Sequence, residues 1–340
     1  MGMTMDNLLA LLRGTIFHPA ASLLLPGAII VTQACLVHLG VSESTRLSWA
    51  LQVALGCVAF SWLLQLNRVM SRRALNPAPR VSCRWPDELV VVTGGSGGIG
   101  GELVRKLERI GARVVIMDAV PPAFETGNGT CYFQTNVASF ENVTSVYNKI
   151  VAKLGVPTVL VANAGVLRGK TLLDHSEDDV RSTFDVNVLG VLFCIKAFLP
   201  SMIAANKGHV LVTSSVTAYS TAANVVCYSA SKAALNSVVE GLHTELKHKH
   251  GNPSVKVSTV LPAVVNTKLS EVLEPCVNGF MMPPLEPACV AERMLQVLSE
   301  GESQTVLMPA MSNASPWLLA LPSWVRVRVQ DIGARATARL

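Results

Sequence analysis

Two long stretches of this chain contain no charged side chain. Residues 14–42 and 47–67 lack Asp, Glu, Lys and Arg altogether, in a protein of 340 residues of which only 15% are charged and 50% are hydrophobic. Aromatic residues are also scarce, at 5%, and no basic run is interleaved with them, so a net charge of +5 carries no footprint of a nucleic-acid binder. The eight cysteines are scattered, with no Cys-x-x-Cys pair and no metal-ligand spacing. They read as reduced thiols and exclude a disulfide framework. Such an apolar composition exceeds that of an average soluble domain, and a membrane element would account for the excess.

A spanning helix needs about 20 predominantly apolar residues. Residues 47–66 meet this, with Trp49 and Trp62 near the ends. The first run is interrupted by Pro26 and Gly27, which leaves a spanning helix, a re-entrant segment and an interfacial helix open. Residues 1–70 are therefore expected to form a membrane anchor with one or two transmembrane helices, at about 20–40 and 47–67. Neither the n-region charge nor the cleavage site of a signal peptide is present. Behind the second run come Arg68, Arg72, Arg73, Arg80 and Arg84, with no acidic residue before Asp87. The positive-inside rule puts this basic linker, residues 71–85, and everything after it in the cytosol. Glycosylation triplets at Asn128, Asn142 and Asn313 would argue for the lumen if they were used, but triplets this short recur by chance.

From residue 86 to 310, β-branched apolar runs alternate with helical patterns. Strands are expected at 89–93, 113–117, 131–134, 158–162, 209–213, 255–261 and 305–308, and helices at 99–110, 140–154, 178–204, 227–250 and 286–299. That alternation predicts right-handed crossovers and one α/β domain with a doubly wound parallel sheet of about seven strands. The first strand runs into Thr93-Gly94-Gly95-Ser96-Gly97-Gly98-Ile99-Gly100, and Leu103, Leu107 and Ile110 then recur at helical spacing. Strand, glycine turn and helix suit a dinucleotide pyrophosphate at the helix N-terminus. Asp118 closes the second strand, where a carboxylate accepts hydrogen bonds from ribose hydroxyls and repels a 2′-phosphate. No Arg follows it, so NAD is expected over NADP. Asn136-Val137, Asn163-Ala164-Gly165 and Pro262 with Thr267 fall after the third, fourth and sixth strands, at the carboxyl ends where open α/β sheets bind ligands. These places suit the adenine, the cofactor's inner edge and the nicotinamide amide.

Tyr228 and Lys232 share one face of the helix expected at 227–250. A neighbouring ammonium stabilises phenolate, so the Tyr228 pKa is expected below its usual value of about 10. Ser215 ends the fifth strand and can hydrogen-bond the reacting oxygen. Asn187, in the long preceding helix, can hold a water that links Lys232 to solvent. His243, His248 and His250 read as a solvated face, and no metal is expected.

Taken together, Thr93-Gly94-x-x-x-Gly98-x-Gly100, Asn163-Ala164-Gly165, Asn187, Ser215, Tyr228 and Lys232 resemble the short-chain dehydrogenase/reductase family over residues 86–310. The resemblance implies a Rossmann-type fold and hydride transfer between a nicotinamide and a hydroxyl or carbonyl carbon. It implies Tyr228 as general acid/base, Ser215 as substrate-orienting and Asn187 as support for a proton relay. Lys232 would lower the Tyr228 pKa and bind the nicotinamide ribose, and Ser96 and Ile99 would join the cofactor cradle. The apolar N-terminus, Gly208-His209-Val210 and residues 280–287 resemble the membrane-anchored, retinol dehydrogenase-like branch, which implies a lipophilic alcohol or ketone, contact with membrane lipids and residence at the endoplasmic reticulum or a lipid droplet. It leaves a homodimer open. Ala162, Asn136 and Ala263 depart from the family's usual Asn, Asp and Gly, and none of them removes a reacting group.

Residues 268–285 contain Leu269, Val272, Leu273, Val277, Phe280, Met281 and Met282, an adaptable apolar wall where a substrate lid is expected. Residues 311–340 place Trp317, Leu318, Leu319, Leu321, Trp324 and Val325 before Arg326, Arg328, Arg335 and Arg339, which suits a membrane interface. Two other readings stay in play: an NADPH-dependent lipid-ketone reductase, and a catalytically silent membrane scaffold of the same fold.

Overall fold

A computed structural model describes residues 4–15, 18, 24–38, 44–78, 80, 83–251, 254–272 and 282–337. The chain divides at Leu75 into two units. In the first, α1 (Met5–Gly14) starts at Thr4, whose hydroxyl accepts the Asn7 N–H at 3.3 Å. It is followed by α2 (Leu24–His38) and α3 (Ser44–Leu75). The expected second span lies wholly within α3. Trp49–Leu75 is long and apolar enough to cross a membrane, and little of it is buried within the protein. The described part of the first run, α2, covers 15 residues, short of the span of about 20.

In the second unit, residues 76–340, seven parallel strands form one sheet in the order β3-β2-β1-β4-β5-β6-β7. They are β1 (Leu89–Thr93), β2 (Arg113–Asp118), β3 (Thr130–Gln134), β4 (Val159–Ala162), β5 (Gly208–Thr213), β6 (Val255–Pro262) and β7 (Thr305–Met308). The helices between them are α4 (Gly98–Arg109), α5 (Phe140–Leu154), α6 (Glu177–Phe184), α7 (Gly190–Ala204), α8 (Val226–His248) and α9 (Pro287–Glu300). Side chains alternate across the pleat. Leu89, Val91, Val115, Met117, Leu160 and Val210 pack with Val146, Phe198 and Leu235 from α5, α7 and α8. Val90, Val92, Val114, Ile116 and Leu211 pack on the other face with Leu103 and Leu107 of α4 and Met294 and Leu298 of α9. Each such fully buried side chain contributes roughly 1.5–3 kcal/mol. With helices on both faces, only the rims of the sheet reach solvent. The strand order reverses between β1 and β4, and that switch point opens a crevice at the strands' carboxyl ends.

Two expectations need correction. The helix expected at 178–204 is divided: α6 passes through a π turn (Asp185–Leu189) before α7 begins. The linker expected at 71–85 is not a linker. Residues 71–75 continue α3, and the next residues are docked as a strap on the amino ends of β6 and β7. Asn76 accepts the Ser303 N–H at 2.7 Å and donates its amide to the Ser303 carbonyl at 3.1 Å. Lys256, itself buried, donates to the Ala78 carbonyl at 3.0 Å, and Arg80 pairs with the buried Glu302. Pro77, with its fixed φ, stiffens the strap instead of loosening it.

Asn76→Ala removes both bonds to Ser303 and leaves its N–H and C=O without those partners. The expected loss is about 1–3 kcal/mol, read as a lower denaturant midpoint of the full chain in detergent. An unchanged midpoint would show that the strap is peripheral.

Candidate active site

The glycine turn is tight because its neighbours occupy the space a side chain would need. Gly94 has φ +64°, and a Cβ there would lie 2.8 Å from the Ala164 Cα. A Cβ on Gly100 would overlap the Gly94 carbonyl oxygen and sit 2.8 Å from the Asn163 amide nitrogen. Asn163 donates to the Thr93 and Gly94 carbonyls, each at 3.3 Å, and accepts the Thr213 hydroxyl at 3.2 Å. The Thr93 hydroxyl accepts the backbone N–H groups of Asn163 and Ala164, both at 3.0 Å. Thr93, Gly94, Asn163 and Ala164 thus form one hydrogen-bonded cluster at the switch point.

Beyond the turn, α4 begins at Gly97 with no side-chain cap, and nothing lies within 4 Å of where a Gly97 Cβ would stand. Gly98 has φ +54°, and Ile99 turns inward against the core of that face. An uncapped helix N-terminus beside open space is an anion site. Asp118 borders it: its carboxylate accepts the Ser96 N–H at 3.0 Å and the Val120 N–H at 3.3 Å, and the Ser96 hydroxyl donates to the Val120 carbonyl at 2.6 Å. The residues present therefore fit a dinucleotide. Thr267 closes the turn from the other side, since a Gly98 Cβ would lie 3.4 Å from its methyl group. Asn136 is exposed after β3, where its side chain accepts the Ala138 N–H at 3.1 Å, and Val137 is buried against Gly190.

Ser215, Tyr228 and Lys232 converge at the end of β5 and the start of α8. Lys232 is buried and donates to the Thr213 carbonyl at 2.8 Å. Its ammonium nitrogen stands 5.6 Å from the centre of the Tyr228 ring. The Ser215 hydroxyl donates to the Pro262 carbonyl at 3.3 Å and stands close enough to the Tyr228 phenol to oppose the rise of its pKa. A Cβ on Gly165 would lie 3.4 Å from the Asn187 amide oxygen and 3.6 Å from the Lys232 nitrogen, so Gly165 separates these two polar groups with no bulk of its own.

The expected depression of the Tyr228 pKa is overturned. Desolvation pushes the phenol up to about 12, against the lowering effect of the Ser215 hydroxyl. Desolvation also brings Lys232 down to about 8. The Lys232 ammonium directs a hydrogen bond to the Thr213 carbonyl. The water-holding role expected of the Asn187 side chain changes as well. Asn187 is wholly buried in the π turn, a common device at functional sites. Its oxygen accepts the Val166 N–H at 2.8 Å, while its amide donates to the Val166 carbonyl and the Ser231 hydroxyl, both at 3.0 Å. Ser231 in turn donates to the Tyr228 carbonyl at 2.6 Å.

Two contributors escape sequence reading. Thr217 holds Ser215 through its backbone N–H at 3.2 Å and its hydroxyl at 3.0 Å. Ser231 carries the link from Asn187 to the start of α8, and only its i, i+3 spacing from Tyr228 hints at this. Of the expected lid, Leu269, Val272 and Met282 are described; Leu273, Val277, Phe280 and Met281 lie outside the described residues.

The profile of the short chain dehydrogenase family matches residues 88–276, more than half of the chain. The chain belongs to that family. It is an NAD(P)-dependent oxidoreductase acting on CH–OH groups. It is 37% identical over 213 residues to Dehydrogenase RED2 of Cochliobolus heterostrophus, covering 61% of this chain and 77% of that one. It is 29% identical over 249 residues to human Epidermal retinol dehydrogenase 2, covering 70% and 78%. Among solved structures, a short chain dehydrogenase from Burkholderia cenocepacia in complex with NADP superposes with a TM-score of 0.60 at 27% identity, covering 70% of this chain and 94% of that one.

Gly100→Ala is expected to weaken cofactor binding at least tenfold, about 1.4 kcal/mol, because the added methyl meets the Gly94 carbonyl and forces the turn open. Titration of protein fluorescence with NAD or NADP checks this, and unaltered affinity would contradict it.

Proposed function

We propose that this short-chain dehydrogenase is anchored in a membrane by α3, faces the cytosol, and interconverts a lipophilic alcohol and its carbonyl with Tyr228 as general acid/base. The observation that carries the reading is the convergence of Ser215, at the end of β5, with Tyr228 and the buried Lys232 of α8, beside the glycine turn. Residues 93–100 and the N-terminus of α4 would hold the pyrophosphate, and Asp118 the adenosine ribose. Asn136 and Val137 would border the adenine. Asn163, Ala164, Gly165, Pro262 and Thr267 would line the nicotinamide side, with Lys232 on its ribose. A nicotinamide bound there supplies or takes up the hydride.

The chain's own residues handle the proton. With its pKa at about 12, Tyr228 is protonated at neutral pH and poised to donate to a carbonyl oxygen that Ser215 also binds. Alcohol oxidation needs the opposite state, so its rate should rise with pH. Carbonyl reduction should hold level through neutrality and fall only as Tyr228 loses its proton. Thr217 positions the Ser215 hydroxyl, and Asn187 holds the start of α8 through Ser231.

The lipophilic substrate rests on the apolar wall of Leu269, Val272 and Met282 and on the likeness to Epidermal retinol dehydrogenase 2. Arg68, Arg72 and Arg73, at the end of α3, support the cytosolic orientation, with the endoplasmic reticulum or a lipid droplet as the membrane. The triplet at Asn142 supports it too, because Asn142 accepts the Asn136 N–H at 2.8 Å and the Thr144 hydroxyl is buried.

Tyr228→Phe should lower turnover by a factor of about 10²–10⁴ and leave cofactor affinity nearly intact. Retained activity would overturn the mechanism. NAD is the preferred cofactor in this reading, on the strength of the Asp118 carboxylate, so kcat/KM should be at least tenfold higher with NAD than with NADP and Asp118→Ser should narrow the gap. The NADP carried by the Burkholderia cenocepacia relative makes the alternative concrete. A clear preference for NADPH would replace the NAD assignment with that of a lipid-ketone reductase.

A further inference from the structure

The segment after β7 turns its apolar side chains outward. It comprises the 3-10 helix Ala310–Ala320 and α10 (Ser323–Thr337). Trp317 is 73% exposed, Leu319 57% and Trp324 68%, and Arg326 and Arg328 follow at once. A second apolar group stands on the loops beside the site. Leu173, in the turn Leu172–Asp174 after β4, is 95% exposed, and Val272 after β6 is exposed as well. These two loops meet, since a Cβ on Gly169 would lie 2.9 Å from the Val272 carbonyl oxygen. The tail joins the same rim: the Ser312 hydroxyl lies 3.6 Å from the Met282 sulfur, and Met282 packs with Val216 and Leu261 next to Ser215. All three segments leave carboxyl ends of strands, around the mouth of the crevice.

We propose that this tail and rim dock on an anionic phospholipid bilayer, so that the active-site mouth opens at the lipid surface. Tryptophan and leucine beside arginine are what an interface takes: the rings and alkyl chains enter the acyl boundary while the guanidinium groups stay with the headgroups. Each arginine near an anionic surface adds attraction. Connectivity points to a bilayer over a soluble partner. This argument rests on the anchoring by α3 proposed above: the apolar α3 ends at Leu75, directly before Asn76 in the chain, so anchoring by α3 keeps the catalytic unit at a bilayer. The surface inference does not depend on the substrate proposed above.

The test is tryptophan quenching in the full chain. With Trp49→Phe and Trp62→Phe, the remaining tryptophans are Trp85, Trp317 and Trp324. Reconstituted in phosphatidylcholine/phosphatidylserine vesicles with brominated acyl chains, this chain should show blue-shifted emission quenched at least twofold. Adding Trp317→Phe and Trp324→Phe should remove the quenchable part, and Arg326→Gln with Arg328→Gln should reduce it. In the chain with every other tryptophan intact, Trp317→Phe with Trp324→Phe should likewise lower bromolipid quenching, a comparison that leaves α3 untouched. Emission unchanged by bromolipid would overturn the proposal. Emission that is blue-shifted but unquenched would assign the surface to a protein partner or a second copy, and would overturn it too. Neither readout requires turnover, so failure here is distinct from failure of the proposed reaction.

Discussion

Asn163 commits both amide hydrogens to the carbonyls of Thr93 and Gly94 and accepts the Thr213 hydroxyl, which ties together the carboxyl ends of β1, β4 and β5. The Thr93 hydroxyl answers by accepting two backbone N–H groups from the same loop. Everything chemical in the molecule hangs from this cross-link. It holds Gly94 at positive φ against Ala164, which aims the uncapped N-terminus of α4 into the crevice. Thr213, the third partner, also offers its carbonyl to Lys232. The glycine turn and Lys232 are therefore linked through Thr213 by one set of hydrogen bonds.

A low-polarity site drives the tyrosine and lysine in opposite directions on the pH scale but toward the same neutral state. Desolvation raises the phenol to about 12 and lowers the ammonium to about 8. Buried beside a second donor, a protonated phenol is a good acid for a developing alkoxide and a poor base at neutral pH. The hydroxyl of Ser215, fixed by Thr217, opposes the upward shift.

Much of this was legible in the residues because strand and helix periodicity are local. The seven strands fell within a residue or so of their expected places, Gly94, Asp118, Asn163 and Ser215 sit at or just after carboxyl ends of strands, and Tyr228 and Lys232 lie in the first turns of α8. What stayed hidden depends on distant partners. The strap looked like a linker because its prolines are local, while Asn76 meets Ser303 across 227 residues. The π turn was invisible because the apolar pattern runs through Asp185–Leu189 without a break. The direction of the Tyr228 shift was misjudged because spacing puts Lys232 on the same helix face but does not reveal that its ammonium turns to Thr213 or how thoroughly the pair is desolvated.

Isotope tracing tests the central claim most directly. The full chain in phospholipid vesicles is given a reduced nicotinamide cofactor dideuterated at ring position C4 together with a membrane-dissolved polyene aldehyde, and the alcohol product is weighed by mass spectrometry. Hydride transfer at this site predicts one deuterium on the carbinol carbon of every product molecule. Product without deuterium, or deuterated product formed equally well by the Tyr228→Phe chain, would contradict the account.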